Sequence, residues 1–459
     1  MALDSVKKIA AEFALDKAIN YITKDPDKNL FVLLDFVEKV ARAPGHKEVV
    51  KKLKVHFKNN PRIMEQTRRI ASNPKMLYNL INSWVVNGVF LGRTKRENIG
   101  RELGVSVPQL LLIDPTSSCN LRCEGCWAGE YSKVDRLEPE LFSRIIKEAK
   151  ELGIYWIVLS GGEPFCYPYL LDVVAEHPDS VFMSYTNGTL IDERVADRLA
   201  DLANFSPSFS LEGWREQTDA RRGKGTFDKV MHAMDLLRER GVFFGVSVTS
   251  MSNNIKEIFN EEFIDFLVDK GATYMWSFHY IPIGRNPNVD LMLTPEQRLW
   301  MIDKVRELRN TRPILIADFW NDGEFTGGCI AGGRQYCHIN AAGDVEPCAF
   351  VHFAVDNIKD KSLREVLQNP LFKAYQKRQP FNENHLAPCP IIDAPASLRE
   401  LIKESGAKPT HRGAEEVLQG EVAEHLDQIS KKWLELAGQY QEKNNKNEDT
   451  PVREGINAG

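Results

Sequence analysis

Gln109-Leu-Leu-Leu-Ile-Asp114 is a short apolar run, and five residues beyond it the chain reads Cys119-Asn-Leu-Arg-Cys123-Glu-Gly-Cys126-Trp127. The run has the length and composition of a strand buried on both faces. The three thiols come directly after this predicted strand, at its C-terminal end. Three thiols in eight residues cannot each serve a separate bridge. They can hold three corners of one cuboidal [4Fe–4S] cluster. The fourth iron is then open, and open positions are where metals do chemistry. Zinc fits poorly, because it wants four ligands, usually as two separated pairs.

Outward from this stretch the rhythm is regular. Further apolar runs at Tyr155–Leu159, Val181–Tyr185, Ser206–Leu211, Val242–Val248 and Thr273–Tyr280 alternate with helix-like segments such as Leu141–Leu152 and Lys229–Arg240. Six β/α units at this spacing predict a parallel sheet with helices outside, closing as a partial (β/α)6 TIM-type barrel. In such folds the chemistry sits at the C-terminal ends of the strands. The expected divisions are a helical region over 1–107, the barrel over 108–318, a Cys-rich region over 319–395 and a helical tail over 396–459. The first region reads as four or five short helices. The Cys-rich region has too few apolar residues for a large core, so bound metal is expected to stabilise it. In the tail, Leu426, Ile429, Trp433 and Leu436 form one stripe, and Asn444 to Gly459 reads as polar and disordered.

Several motifs follow the cysteines in order. Ser160-Gly161-Gly162-Glu163-Pro164 ends the second strand, Thr186-Asn187-Gly188 the third, and Ser210-Leu211-Glu212-Gly213 the fourth; Arg221-Arg222-Gly223 and Pro282-Ile283-Gly284-Arg285 come later. With C-x3-C-x2-C and the aromatic after it, this order resembles the radical S-adenosylmethionine superfamily over about Gln109 to Arg285. The resemblance implies a [4Fe–4S] cluster on Cys119, Cys123 and Cys126, with S-adenosylmethionine chelating the open iron through its amine and carboxylate. Gly161, Gly162, Glu163 and Pro164 then correspond to the segment that holds the cofactor's amino group. Asn187, Ser210, Glu212 and Arg222 approach its ribose or carboxylate, and Trp127 its adenine. Relatives often carry Asp where this chain has Glu212.

Cys329, Cys337, Cys348 and Cys389 form a second group. Their setting, with Gly343 five residues before Cys348 and Asn357-Ile358 beyond, resembles the opening of SPASM or twitch extensions, which carry auxiliary clusters. Here Cys337 is inserted in the usual gap, and only Cys389-Pro390 stands where a dense run of cysteines is usual. Four cysteines saturate one second [4Fe–4S] cluster or a zinc site. If Cys389 lies elsewhere, the cluster is open and could bind substrate. His338 and His352 nearby read as hydrogen-bonded structural residues.

The composition is that of a soluble protein, with 43% hydrophobic and 27% charged residues. Met1 to Lys8 lacks the apolar core of a signal peptide, and no stretch approaches the roughly 20 apolar residues of a spanning helix. A cytoplasmic setting follows as an expectation, peripheral to a membrane at most, and eight cysteines there suit metal better than disulfides. Residues 1–107 hold 20 Lys or Arg against 11 Asp or Glu, although the whole chain is −5. This basic front suggests an anionic surface, and Trp84 to Leu91 with Arg93, Lys95 and Arg96 is the candidate lipid contact. The expected reaction is reductive cleavage to a 5′-deoxyadenosyl radical that attacks an unactivated C–H bond. A lipid hydrocarbon chain is the first expected target, and a peptide in a maturase reaction the second. A non-catalytic iron–sulfur electron carrier is the third reading. The implied partner is an external electron donor of ferredoxin or flavodoxin type, and no nucleic-acid module or P-loop is present.

Overall fold

The computed structural model describes residues 15–40 and 61–448, with 47, 51, 54, 55, 57 and 58 between them. Six parallel strands occupy the expected places: β1 (Leu110–Ile113), β2 (Trp156–Leu159), β3 (Val181–Thr186), β4 (Phe205–Leu211), β5 (Gly245–Ser250) and β6 (Tyr274–His279). Helices between them cover the outer face. The apolar stripe of Pro139–Glu151 (Phe142, Ile145, Ile146, Ala149) joins Leu111, Ile113, Ile157 and Leu159 in one core. Because side chains alternate along a strand, Leu112, Val158 and Met183 face the opposite way, into the barrel.

The sheet is larger than the expected six strands. β7 (Leu315–Asp318) extends it beyond β6. At the other edge β8 (Tyr336–Ile339) pairs parallel to β1, and β9 (Val345–Glu346) follows antiparallel, giving the order β7-β6-β5-β4-β3-β2-β1-β8-β9. The Cys-rich region is therefore built onto the barrel sheet. Its Ile339, Val345, Phe353, Ile358, Leu371 and Phe372 are fully buried and belong to the same hydrophobic core as the barrel. The region was expected to have too few apolar residues for a large core; it has instead a share in the core of the barrel.

The N-terminal region is helical where described, with Pro26–Val40, Pro61–Ala71, Pro74–Asn79, a π-helical stretch Leu80–Leu91, and Gly92–Leu103. These helices dock at the N-terminal ends of the strands, opposite the cysteine loop. Arg69 donates through Nη2 to Gly271 O (2.8 Å) and Arg96 through Nη1 to Gly153 O (2.6 Å). Lys75 reaches Asp201 O and Lys95 reaches Lys150 O. Several of the basic side chains counted toward an anionic surface are thus bound to the barrel's own carbonyls. Within the candidate lipid contact Asn87 is buried and Leu91 is exposed; the side chains of Trp84, Val85, Val89 and Phe90 lie outside the described residues.

The C-terminal helix Gly420–Glu448 buries Leu426 and Trp433 as the stripe requires, with the Arg298 guanidinium 4.2 Å from the Trp433 ring centre. Asn444 to Glu448 continue this helix, where disorder was expected, while 449–459 and Met1–Lys8 lie outside the described residues. Among the described residues no helix is long and apolar enough to cross a membrane.

Candidate active site

Cys119, Cys123 and Cys126 line the mouth end of a cavity of about 270 Å³ that runs into the barrel. Two segments fix their loop. Gly162 N donates to Thr116 O (2.9 Å) and Glu163 N to Ser118 O (2.8 Å), so the Gly-Gly-Glu segment is stapled to the chain just before Cys119. A Cβ at position 162 would lie 2.0 Å from Ser118 O. That glycine is needed for one backbone to pass another. From the far side, Arg285 donates through its backbone N to Cys126 O (3.0 Å) and through its guanidinium to Cys123 O (3.3 Å) and Gly129 O (3.2 Å).

Gly284, at φ +77°, completes this clasp: a Cβ there would meet Trp127 O at 2.3 Å and Cys126 O at 2.4 Å. Gly284→Ala is therefore expected to lower stability by about 1–3 kcal/mol, as overpacking does, and to shift the cysteine loop. Thermal unfolding with iron content per chain, after anaerobic reconstitution, checks both effects. Unchanged values in both would show that the clasp does not set the loop.

Of the residues expected near the cofactor, Trp127, Gly161, Gly162, Glu163, Asn187, Ser210 and Arg222 line the cavity. Glu163 is buried and accepts from Thr186 Oγ1 (2.7 Å), Asn187 N (2.7 Å) and Phe165 N (3.1 Å). Burial pushes its carboxyl up against the pull of these donors. Two expectations are corrected. Pro164 stands behind the wall, starting the short turn Pro164–Cys166. Glu212 also lies off the cavity, fully buried, and its Oε1 accepts from Arg221 Nη1 and Arg222 Nη2, both at 2.6 Å. Its carboxylate sets the two arginines that do face the cavity. Arg221, not among the expected contacts, also donates to Glu124 O (3.1 Å) and Gly125 O (3.3 Å) of the cysteine loop. Its signal was the paired arginine motif, in which only the second residue was singled out.

Cys329, Cys348 and Cys389 open onto the same cavity from its other side. Tyr336 donates its hydroxyl to Cys348 Sγ (2.8 Å), and the Tyr375 hydroxyl is 3.8 Å from Cys329 Sγ. Cys337 does not join them. In the register of β8 it lies beside Leu111, on the outer face, and its thiol is fully buried among apolar neighbours. Alternation along the strand turns Tyr336 toward the thiols and Cys337 away, which corrects the four-cysteine reading. Burial pushes the Cys348 thiol up to about 12, so loading metal there must expel a proton. Among the described residues no three His, Cys, Asp or Glu side chains converge as a single ion requires.

Between the two thiol sets Trp127 packs edge-on against Phe350 (6.0 Å) and His338 (5.7 Å). His338 is buried, with Nε2 2.9 Å from Asp114 Oδ2 and Nδ1 2.6 Å from Glu346 Oε2. Asp114 also accepts from Ser160 Oγ (2.7 Å), and Glu346 from Tyr131 (2.9 Å) and Thr410 Oγ1 (2.5 Å). This network joins β1, the cysteine loop, β8 and β9. His352 is likewise structural, contacting Ala349 O and His411.

With this geometry in view, residues 113–268 match the Radical SAM superfamily and residues 329–390 the SPASM iron–sulfur cluster-binding domain. The mycofactocin maturase MftC of Mycobacterium tuberculosis (strain ATCC 25618 / H37Rv) is 32% identical over 302 residues, covering 61% of this chain and 75% of that protein. The chain belongs to the radical SAM superfamily. This radical SAM enzyme is also similar to the AdoMet-dependent heme synthase of Methanosarcina barkeri, at 24% identity over 58% of this chain and 83% of that one. Its fold matches Streptococcus suis SuiB bound to precursor peptide SuiA, with a TM-score of 0.56, 19% identity and coverage of 72% and 80%. The family binds a [4Fe–4S] cluster and S-adenosylmethionine, and its SPASM domain binds auxiliary iron–sulfur clusters. Both thiol sets offer the sulfur donors these groups need.

Proposed function

We propose that this radical SAM enzyme removes hydrogen from an unactivated C–H bond on an apolar group of a peptide. The observation that carries the reading is one cavity, bordered by both thiol sets, whose barrel wall is apolar: Leu112, Val158, Met183, Trp276, Phe278 and Phe319. Such a wall selects by area and shape. The maturase relatives support a peptide as the bearer of that group. A carboxylate-rich macrocycle is less suited, since the wall arginines Arg221 and Arg222 are already held by Glu212.

In this reading residues 108–318 hold the first cluster and cofactor, and 319–395 the auxiliary cluster. Cys119, Cys123 and Cys126 ligate the first cluster. Gly161, Gly162, Glu163, Asn187, Ser210, Arg222 and Trp127 contact S-adenosylmethionine, while Pro164 and Glu212 position them. Bound there, the cofactor supplies a 5′-deoxyadenosyl radical, with the electron coming from an external ferredoxin or flavodoxin type donor. The chain's own part is to orient the reacting groups and exclude water.

The same apolar wall favours a second reading, a lipid hydrocarbon chain, although the basic helices that suggested a membrane are docked on the barrel. Mass spectrometry of peptides and lipids from cells with and without the gene separates the two. The proposal expects a peptide whose mass changes with the gene; a lipid as the only species that changes would overturn it.

A further inference from the structure

The auxiliary site carries one cysteine fewer on its cavity side than the sequence contains. Cys329, Cys348 and Cys389 face the cavity, whereas Cys337 lies in register with Leu111 on the opposite face of β8, in the outer core. Bringing Cys337 round would require turning β8 by one residue, which would carry Tyr336 and His338 to the wrong face as well. His338 is fixed between Asp114 and Glu346, and Tyr336 is bonded to Cys348, so the register is held at both neighbours. Two other candidates lie nearby, Asp393 and His279. Asp393 is bound by Arg298 (2.5 Å) and by Cys389 N (3.0 Å). His279 is held by stacking on Trp320 at 5.1 Å, its Nε2 3.3 Å from Asp318 Oδ1 without a hydrogen bond.

We infer that the auxiliary cluster is a three-cysteine cubane whose fourth iron faces the cavity and is open to a nitrogen, oxygen or sulfur donor of the substrate. This rests on the reading above that these thiols hold an iron–sulfur cluster. Its consequence is positional. A substrate tethered through such a donor presents its apolar part to the wall between the two thiol sets, which fixes the C–H bond that is offered for abstraction. Tyr336 and Tyr375 bond the sulfurs and tune them as outer partners.

The test uses the full chain with Cys119, Cys123 and Cys126 all replaced by Ala, reconstituted without oxygen, so that only the auxiliary site takes iron. The probe is ¹³C-cyanide, read by hyperfine coupling in the electron paramagnetic resonance of the reduced cluster. The expected result is about four irons per chain, a ¹³C coupling, and no loss of either on adding Cys337→Ala or the volume-keeping Cys337→Val. Loss of iron in both Cys337 variants, with folding intact by circular dichroism, would overturn the inference by making Cys337 a ligand. So would a full complement of iron that gives no ¹³C coupling, including the case in which Tyr336→Phe restores it and the phenol is the fourth ligand. Absence of iron in the triple variant is a different failure. It would remove the cluster from these thiols and end the parent reading of the auxiliary site along with this one.

Discussion

Cys126→Ala is expected to abolish formation of 5′-deoxyadenosine from S-adenosylmethionine under strong reductant. Cys126 is one of only three thiols on the loop after β1, and no other cysteine lies on that side of the cavity except the turn residue Cys166, which is off its wall. Two thiols cannot hold a cubane with one open corner, so the loss is of the centre itself rather than of a contact to it. Enzymes lower barriers by about 8 kcal/mol or more, and a group on which all of this depends leaves a deficit of about 10⁶-fold when removed. Chromatography of anaerobic reactions measures it, with Cys337→Ala as the control that keeps the nucleoside yield. A Cys126→Ala protein that still releases 5′-deoxyadenosine at a comparable rate would contradict the assignment. Substitution of Cys348 should instead spare some uncoupled cleavage while blocking turnover.

The second large effect concerns folding. Burial opposes charge on His338, but the carboxylates of Asp114 and Glu346 outweigh it and push the imidazole up to about 10. An unfolded histidine titrates near 6.5. A raised folded value contributes stability that is complete below about pH 6.5 and is lost as pH rises through about 10. The melting temperature of the native protein should therefore fall across that window. His338→Gln leaves two buried carboxylates facing each other without a cation, a change that costs about 3–5 kcal/mol. The variant should melt lower at neutral pH and lose the decline between pH 6.5 and 10. A variant as stable as the native protein at pH 7, or one that keeps the full decline, would show that the imidazolium is not the group responsible.

The barrel was legible because its strands are apolar on both faces and are separated by amphipathic helices, as at Leu110–Ile113 and Pro139–Glu151. β8 was not, because Tyr336-Cys-His-Ile339 is short and carries polar groups whose partners come from distant segments. The first cysteine set could be grouped from spacing alone, since its three thiols lie on one loop. The second was not, because its membership depends on which way a strand residue points. Nothing within Tyr336-Cys337-His338 says that the thiol faces outward; only the pairing of β8 with β1 does. Glu212 was misplaced for a related reason. A carboxylate after a barrel strand reads as a cofactor contact until the arginines nine and ten residues later are seen to claim it. The basic N-terminal region shows the same limit, because charge counts do not reveal that Arg69 and Arg96 end on backbone carbonyls.

The most direct measurement on the open-iron assignment is electron–nuclear double resonance of the reduced enzyme mixed with S-adenosylmethionine labelled with ¹⁵N in its amino group and ¹⁷O in its carboxylate. The expected result is hyperfine coupling from both labels to the cluster on Cys119, Cys123 and Cys126. A reduced, intact cluster at those thiols that couples to neither label would contradict it.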